Sequence, residues 1–547
     1  MNNEPYISKA GKEFPDTLSV VTTDDINNID VIKPTTIDGS IMLLPSSNTT
    51  IIESAESIFS VIAAKKDMFI FGGTISELRL HKGQYSLAQV SPDAFRSRIE
   101  GYSKPLMSYV MYKDKPVLQQ KLCSTESAKA LLASRPAVSL LPHVRVVTSC
   151  PILTSNLDVL GKGYHFHSGG ILVTHGGQPQ EVEVSEAIIS LVELLNDNQF
   201  VTPSDKSRAL SMMILPMMKM GGFISSPCPM DVAEANESQS GKTYRQKVIA
   251  AIYNEVPVVV TMKKGGVGSV DESIASALAT GRPFIQLDNF RGNLDSPMLE
   301  AIITTPESVS VRVPRAAEQI IDASAVSFQL SSNGVDTTAD MANRSCIIRI
   351  RKQADKRWKK WDEGDLLAHV KANQNYYIGC VISVIKAWVV AGEKTSNTTD
   401  HDMREWAQMM DWIVQFIFKS SPLLDGHNAI QDQVSNPNMT WLREICIAAE
   451  RDDKLGFRLL AHNIVDLCEL EGIEYPNKRK YTNDSSAYKY VGVVMSKLFS
   501  KANTLIIDSY EVTKMEGEIY NENAGRHLVS KFYVINNFSQ YAKKLGV

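Results

Sequence analysis

Asn236-Glu-Ser-Gln-Ser-Gly-Lys-Thr243 is the stretch that decides the fold. It reads as a phosphate-binding loop, with Gly241, Lys242 and Thr243 in place and Asn236 where the first glycine belongs. That chemistry needs backbone N–H groups wrapped around a phosphate, a Lys reaching the terminal phosphates, and a hydroxyl on Mg²⁺. Asn236, Glu237, Ser238, Gln239, Ser240, Gly241, Lys242 and Thr243 are therefore the candidate nucleotide-binding residues. The first glycine of such a loop serves a tight turn at positive φ, and Asn is the other residue that best tolerates that region. A true loop follows a strand and opens a helix. Pro229 to Ala235 is a short, moderately apolar run, and Tyr244 to Tyr253 carries Val248, Ile249, Ala251 and Ile252 without Gly or Pro. The order is strand, loop, helix.

Further motifs follow in sequence. Val256 to Met262 is fully apolar, as in a strand buried within a parallel sheet. Lys263-Lys-Gly-Gly-Val-Gly-Ser269 is a basic glycine loop, and the helix from Val270 to Thr280 opens with Asp271 and Glu272, as the helix dipole favours. Pro283 to Asn289 is an apolar strand ending in Asp288, 46 residues beyond Lys242, the place of the carboxylate that organises Mg²⁺ and water. Glu307 to Ile321 reads as a hairpin containing Arg312 and Arg315. Ala325 to Gly334 is a third apolar strand ending in Asn333, which either positions an attacking water or belongs to an Asn-Gly turn. Asp340 and Arg344 lie at i and i+4 on a short helix. Arg344 there reaches a neighbouring subunit's nucleotide or makes a plain surface ion pair.

Composition sets the frame. Of 547 residues, 44% are hydrophobic and 22% charged, so the chain has the make-up of a globular protein of several domains. No apolar run approaches the roughly 18–20 residues of a membrane span, and the polar N-terminus has no signal-peptide core. Seven scattered cysteines without a Cys-x-x-Cys pair fit packed thiols in a reducing cytoplasm. The net charge of −4 lends nucleic-acid binding no bulk support, though a local basic lining is compatible with it.

The expected organisation is α/β: a polar lead-in (1–45), a mixed α+β N-terminal domain (46–180), the nucleotide core (181–353), a helical domain (354–427) and a C-terminal winged-helix-like domain (428–547). Ser91 caps a helix with Pro92 at its first position. His165 and His167 alternate as on one face of a hairpin strand and read as packed or solvated rather than metal-bound, because no carboxylate or cysteine cluster accompanies them. The Met-rich helix from Ser204 to Met220 reads as core. The basic run Arg351 to Trp361 reads as a solvated linker, with DNA stacking by its tryptophans as the alternative. In the last domain, Trp441–Arg451, Leu455–Glu471 and Tyr488–Ser500 read as helices, followed by strands Thr504–Val512 and Leu528–Asn536 joined by a polar loop from Glu516 to Arg526.

Taken in order, the loop, Leu287-Asp-Asn289, Ser331-Ser-Asn-Gly334 and Asp340-Met-Ala-Asn-Arg-Ser345 resemble the P-loop core of AAA+ ATPases of bacterial mobile elements and prophages. These are related to superfamily-three viral replicative helicases and pathogenicity-island replication helicases. Outside the core, Ser91 to Ile99, Gly163 to Ile171, and Val370 to Gly379 with Ile385 to Gly392 are also similar, so the likeness covers roughly 45–535. The resemblance implies an ATP- and Mg²⁺-dependent ring, a hexamer, translocating on DNA beside element-encoded replication proteins. Lys242 and Thr243 would hold phosphates and Mg²⁺, Asp288 the metal, Asn333 the water, and Arg344 the neighbour's γ-phosphate. Lys263, Lys264, Arg312 and Arg315 would contact DNA phosphates. Asn289 stands where most AAA+ proteins place a catalytic Glu, and an amide cannot be a general base. Either hydrolysis is slow, as in a nucleotide switch or replication initiator, or Glu234 or Glu237 serves instead. A protein-remodelling ATPase is a third reading, but its pore loop would offer an aromatic residue, and Lys263 to Ser269 offers none.

Overall fold

The structure, a computed structural model, describes residues 41–235, 240–260, 268–294, 296–312, 318–352, 359–434, 437–476, 484–500, 502–521 and 526–537. Asn236 to Gln239, Glu237 included, Lys263, Lys264 and Arg315, and most of the expected lead-in lie outside them. The chain is mixed α/β, with a largely parallel central sheet and many helices.

Six strands form that sheet: β1 (Gln199–Phe200), β2 (Met230–Ala235), β3 (Val258–Val260), β4 (Phe284–Leu294), β5 (Ser327–Thr337) and β6 (Ser345–Arg351). Their order is β1-β6-β2-β5-β4-β3, with only β1 antiparallel. Every residue of β2 is buried, because β5 and β6 pair with it on both sides. Helices α1 (Pro203–Gly221) and α2 (Lys242–Ile252) cover one face together: the Tyr253 hydroxyl, just beyond α2, donates to the Met213 carbonyl at 2.6 Å. The methionines of α1 (Met212, Met213, Met217, Met218, Met220) are all buried in the core.

Three expectations about these strands change. Val256 to Val260 is not buried on both sides: β3 is a sheet edge paired only to β4, and Val256 and Val259 are exposed. Neither does β4 stop at Asp288 nor β5 at Asn333. Both run on as one ladder to Leu294 and Thr337, with register shifts between Leu287 and Gly292. Phe290 and Leu294 are buried, so the polar residues that read as a strand end are absorbed by a bulge. Asn289 takes φ 52° within it, the region Asn tolerates.

The N-terminal part contains the expected mix, including the helix Pro92–Glu100, whose cap Ser91 accepts from the Ala94 amide at 3.2 Å. The His hairpin pairs Gly163–His165 with Ile171–Val173, but His167 lies in the 3₁₀ turn between them, not on the strand. His165 Nε2 lies 2.7 Å from the Gly161 carbonyl. Buried Glu255 welds this part to the sheet. It accepts from the Ser149 amide (2.6 Å) and pairs with Arg282 (2.8 Å), which also donates to Gln84 (2.6 Å).

Helices α3 (Leu366–Ala372), α4 (Gln374–Val390) and α5 (Arg404–Trp412) pack on the same core. Gly379 is required on α4, since a Cβ there would lie 2.2 Å from the Gln180 carbonyl. Phe416 is exposed and stacks on Trp412. Trp361 stacks on His369 with centroids 4.0 Å apart and Lys359 Nζ lies 3.8 Å over its ring, so neighbours already occupy its faces.

The C-terminal part has its own hydrophobic core, from Trp441 to Ile535. It combines α6 (Pro437–Arg451), α7 (Ala461–Glu471) and α8 (Asp484–Leu498) with an antiparallel sheet of β7 (Thr504–Ile507), β8 (Tyr510–Asn521) and β9 (Arg526–Asn537). The run expected as one strand, Thr504–Val512, turns at Asp508 (φ 52°), and much of the expected loop from Glu516 belongs to β8. Likewise Leu455 to Leu460 is not helical: Leu459 exchanges backbone bonds with Tyr533 at 2.9 Å.

His401 and His427 are buried together beside β6. Each accepts from a backbone amide, of Met403 and Ile347 respectively, at 3.1 Å. Burial disfavours the imidazolium, pushing His401 down to about 4 and His427 well below its usual value. An unfolded His binds its proton near 6.5, so the unfolded chain takes up protons that folded His401 refuses until pH 4. Stability is therefore expected to fall with pH through that window, His401 alone contributing about 2 kcal/mol between pH 7 and pH 5. Urea unfolding midpoints across that range check this, with His401→Gln flattening the slope.

Candidate functional site

The site lies where β2, β4 and β5 run into their C-terminal halves. Gly241 takes φ 90° as the cap of α2, a conformation that favours glycine and turns the chain from loop to helix. Lys242 and Ser240 flank it and are buried. Thr243, in the first turn, donates to Asp288 Oδ1 at 2.9 Å and lies 2.9 Å from Ser331 Oγ. Ser331 donates to the same carboxylate oxygen at 2.8 Å and accepts from the Asn289 amide at 2.9 Å. Three elements far apart in sequence thus bring a Thr hydroxyl, an Asp carboxylate and a Ser hydroxyl into one oxygen triangle. These are hard oxygen donors, the set that suits Mg²⁺, which takes few protein ligands and keeps phosphates and waters. Among the described residues no group of three or more His, Cys, Asp or Glu side chains is placed to hold a metal.

Ser331 is the member that the sequence reading passes over. Its only signal is position: it precedes Ser332 and Asn333 on the strand lying between β2 and β4. Asn333 lies on β5 within the extended ladder, rather than in a closing turn.

A buried polar layer holds α2 over the sheet. Arg245 pairs with Asp231 of β2 at 2.5 Å, and Gln246 donates to the carbonyls of Asp231 (3.1 Å) and Leu330 (3.0 Å). Gln286 in turn donates to Gln246 at 3.1 Å.

Of the other site candidates, Asn289 meets the triangle through its backbone amide, and Glu234, Arg344 and Arg312 lie apart from it. Asn289 is exposed beside Asp288. Glu234 does not face open space: it is buried and paired with Arg443 of α6 at 3.0 Å. Burial raises its pKa above the usual carboxylate range against the pull of Arg443. Arg344 pairs with Asp340 at 3.0 Å, and its carbonyl accepts from the Met230 amide, at the start of β2. The loop is at the other end of that six-residue strand, roughly 17–20 Å away, which an arginine side chain does not span. Arg312 is exposed on the hairpin of Val309–Arg312 and Glu318–Ile321, whose Gln319 and Ile320 dock on Thr74 and Gly72 of the N-terminal part.

No protein-family model matches the chain, and no curated protein does. Among solved structures it is similar to "SCCmec type IV Cch - active helicase", at 12% identity over 87% of this chain and 92% of that one, with a TM-score of 0.32. It is also similar to the A-form apo structure of the NrS-1 C-terminal region, at 10% identity over 88% and 98% of the two chains, again at 0.32. At that TM-score neither likeness bears on the arrangement of the site. Among the described residues no helix is long and apolar enough to cross a membrane.

The buried Arg245–Asp231 pair supplies a test of how α2 is held. Asp231→Ala leaves a guanidinium uncompensated in the core and should cost about 3–5 kcal/mol. Replacing both, as Asp231→Leu with Arg245→Met, should recover most of that loss in urea unfolding.

Proposed function

We propose that the chain is an AAA+-type P-loop ATPase that works as a ring on DNA, a replicative helicase of a phage or integrated element. The observation that carries the nucleotide reading is the Thr243–Asp288–Ser331 triangle at the mouth of a Gly241-Lys-Thr helix cap. In this reading the loop amides and Lys242 hold the ATP phosphates, and Thr243, with Asp288 oriented by Ser331, holds the metal. Mg²⁺ would supply neutralisation of phosphate charge and orientation of the β- and γ-oxygens. Asn333, on the strand between the loop strand and the Asp288 strand, is in sequence position to orient an attacking water.

The separation of Arg344 from its own loop supports a role across a subunit boundary, where it would stabilise charge on a neighbour's γ-phosphate. That role makes activity depend on assembly. The DNA reading rests on the resemblance and on Arg312, exposed on its hairpin. The C-terminal helices and long β8–β9 ladder suit a winged-helix-like contact.

A second reading is favoured by the residues beside the metal site. Asn289 supplies an amide where a base is needed, and Glu234 is held by Arg443. A slow ATPase that acts as a nucleotide-dependent initiator fits those facts.

Hydrolysis measured with and without single- and double-stranded DNA separates the two. The helicase reading expects stimulation by DNA and loss of at least 100-fold in Lys242→Ala, on the order of the effect of removing one preorganised charge-stabilising group. No hydrolysis with any nucleic acid overturns it, while ATP binding alone leaves the initiator. Arg344→Ala should abolish turnover with ATP affinity within about twofold. Mixing it with Lys242→Ala should restore part of the rate, because intact sites then form between unlike subunits. No recovery removes the role across the boundary.

A further inference from the structure

A chain of six alternating charges runs from α1 through the C-terminal part to the strand that launches the phosphate loop. Arg208 pairs with Asp205 (2.6 Å), Asp205 with Arg349 (3.7 Å), Arg349 with Asp508 (3.4 Å), Asp508 with Arg443 (2.6 Å), and Arg443 with Glu234 (3.0 Å). All six side chains are largely withdrawn from water: Arg208 and Asp205 completely, Arg443 to 12% and Glu234 to 7% exposure.

The geometry of the middle four is complementary. Glu234 on β2 and Arg349 on β6 are register partners on adjacent parallel strands, so the sheet presents one acid and one base side by side. Arg443 on α6 and Asp508 in the β7–β8 turn present the matching base and acid from the C-terminal part. Arg443 reaches both carboxylates, through Nη1 to Glu234 and Nε to Asp508. Burial opposes its charge, and the two flanking acids outweigh that, leaving it firmly protonated.

Position gives this contact its consequence. Only Ala235 separates Glu234 from Asn236, the first residue of the loop. A carboxylate at Glu234 is costly without its partner, because removing one member of a buried pair leaves an unpaired charge. The end of β2 is thus held where the C-terminal part is docked. Conversely, any shift of that strand end on loading of the loop pulls on the docked domain.

We propose that Arg443 is a positioning residue of the nucleotide site, acting through Glu234, so that docking of residues 437–537 and binding of ATP are thermodynamically coupled. The inference rests on the nucleotide-binding reading above. Coupling of this kind is reciprocal, and typical strengths correspond to 5- to 150-fold in affinity.

The test uses the full chain, a fluorescent ATP analogue with Mg²⁺, and hydrogen exchange across 437–537 with and without ATP. Wild-type protein should bind the analogue, and ATP should slow exchange in α6 and the β7–β8 turn. Arg443→Gln should weaken binding by about fivefold or more and abolish the ATP-dependent protection. Glu234→Gln combined with Arg443→Gln should bind more tightly than Arg443→Gln alone, since no charge is then left unpaired; the readout that a merely structural role does not predict is the ATP-dependent protection of α6 and the β7–β8 turn in the wild type. Asp508→Asn, which loosens Arg443 without touching the loop strand, gives the same readout at smaller amplitude if Arg443→Gln does not fold. If the wild type binds the analogue and these variants bind it equally well, the coupling is overturned and the nucleotide reading stands. If the wild type binds none, the nucleotide reading fails and the coupling with it.

Discussion

Two carboxylates in one fully buried strand constrain much of this molecule. Asp231 and Glu234 both lie on β2, which has a neighbour on each side and covered faces. They are three residues apart, so in an extended strand they emerge on opposite faces. Each needs a cation brought to it, because an isolated buried carboxylate is very unfavourable. Arg245 of α2 answers Asp231 on one face, and Arg443 of α6 answers Glu234 on the other. The helix after the loop and the C-terminal domain are thereby tied to opposite faces of the strand that carries the loop.

The triangle at the strand ends follows from the same sheet. A loop strand and a carboxylate strand with β5 between them leave a gap at the level of Thr243 and Asp288, and Ser331 on the intervening strand fills it. The bulge at Asp288–Asn289 turns the Asn289 amide toward that serine, so a residue that cannot act as a base still helps fix the site. Arg344 sits at the opposite end of the sheet because it precedes β6, which runs parallel to β2, and parallel strands all start at one edge of the sheet.

Much of the architecture was legible in the residues. The strand before and the helix after the stretch ending in Gly241-Lys-Thr243, the Arg312 hairpin, the Ser91-capped helix and the Met-rich core helix all appear where local pattern and spacing put them. Local signals work there because caps, periodicity and turn chemistry act within a few residues. They misled at Asn289, Asn333 and Glu516, polar residues that read as ends but lie in ladders continuing to Leu294, Thr337 and Asn521. Strand length is set by what the neighbouring strand offers, and a polar residue beside a bulge costs little.

The chain's own order of residues was enough to mark Gly241, Lys242 and Thr243 at a helix start and Asp288 as the carboxylate that meets the threonine, because helix caps and strand carboxylates leave short-range signals in residue type. What Glu234 does was beyond its reach. As a string it is a carboxylate flanking the loop, available as a base; in the fold it is a buried carboxyl group committed to Arg443, 209 residues away. Ser331 is likewise one serine among many until β5 lies between β2 and β4. Pairings of this kind depend on which faces are buried together, and burial is a property of the packed sheet rather than of any segment within it.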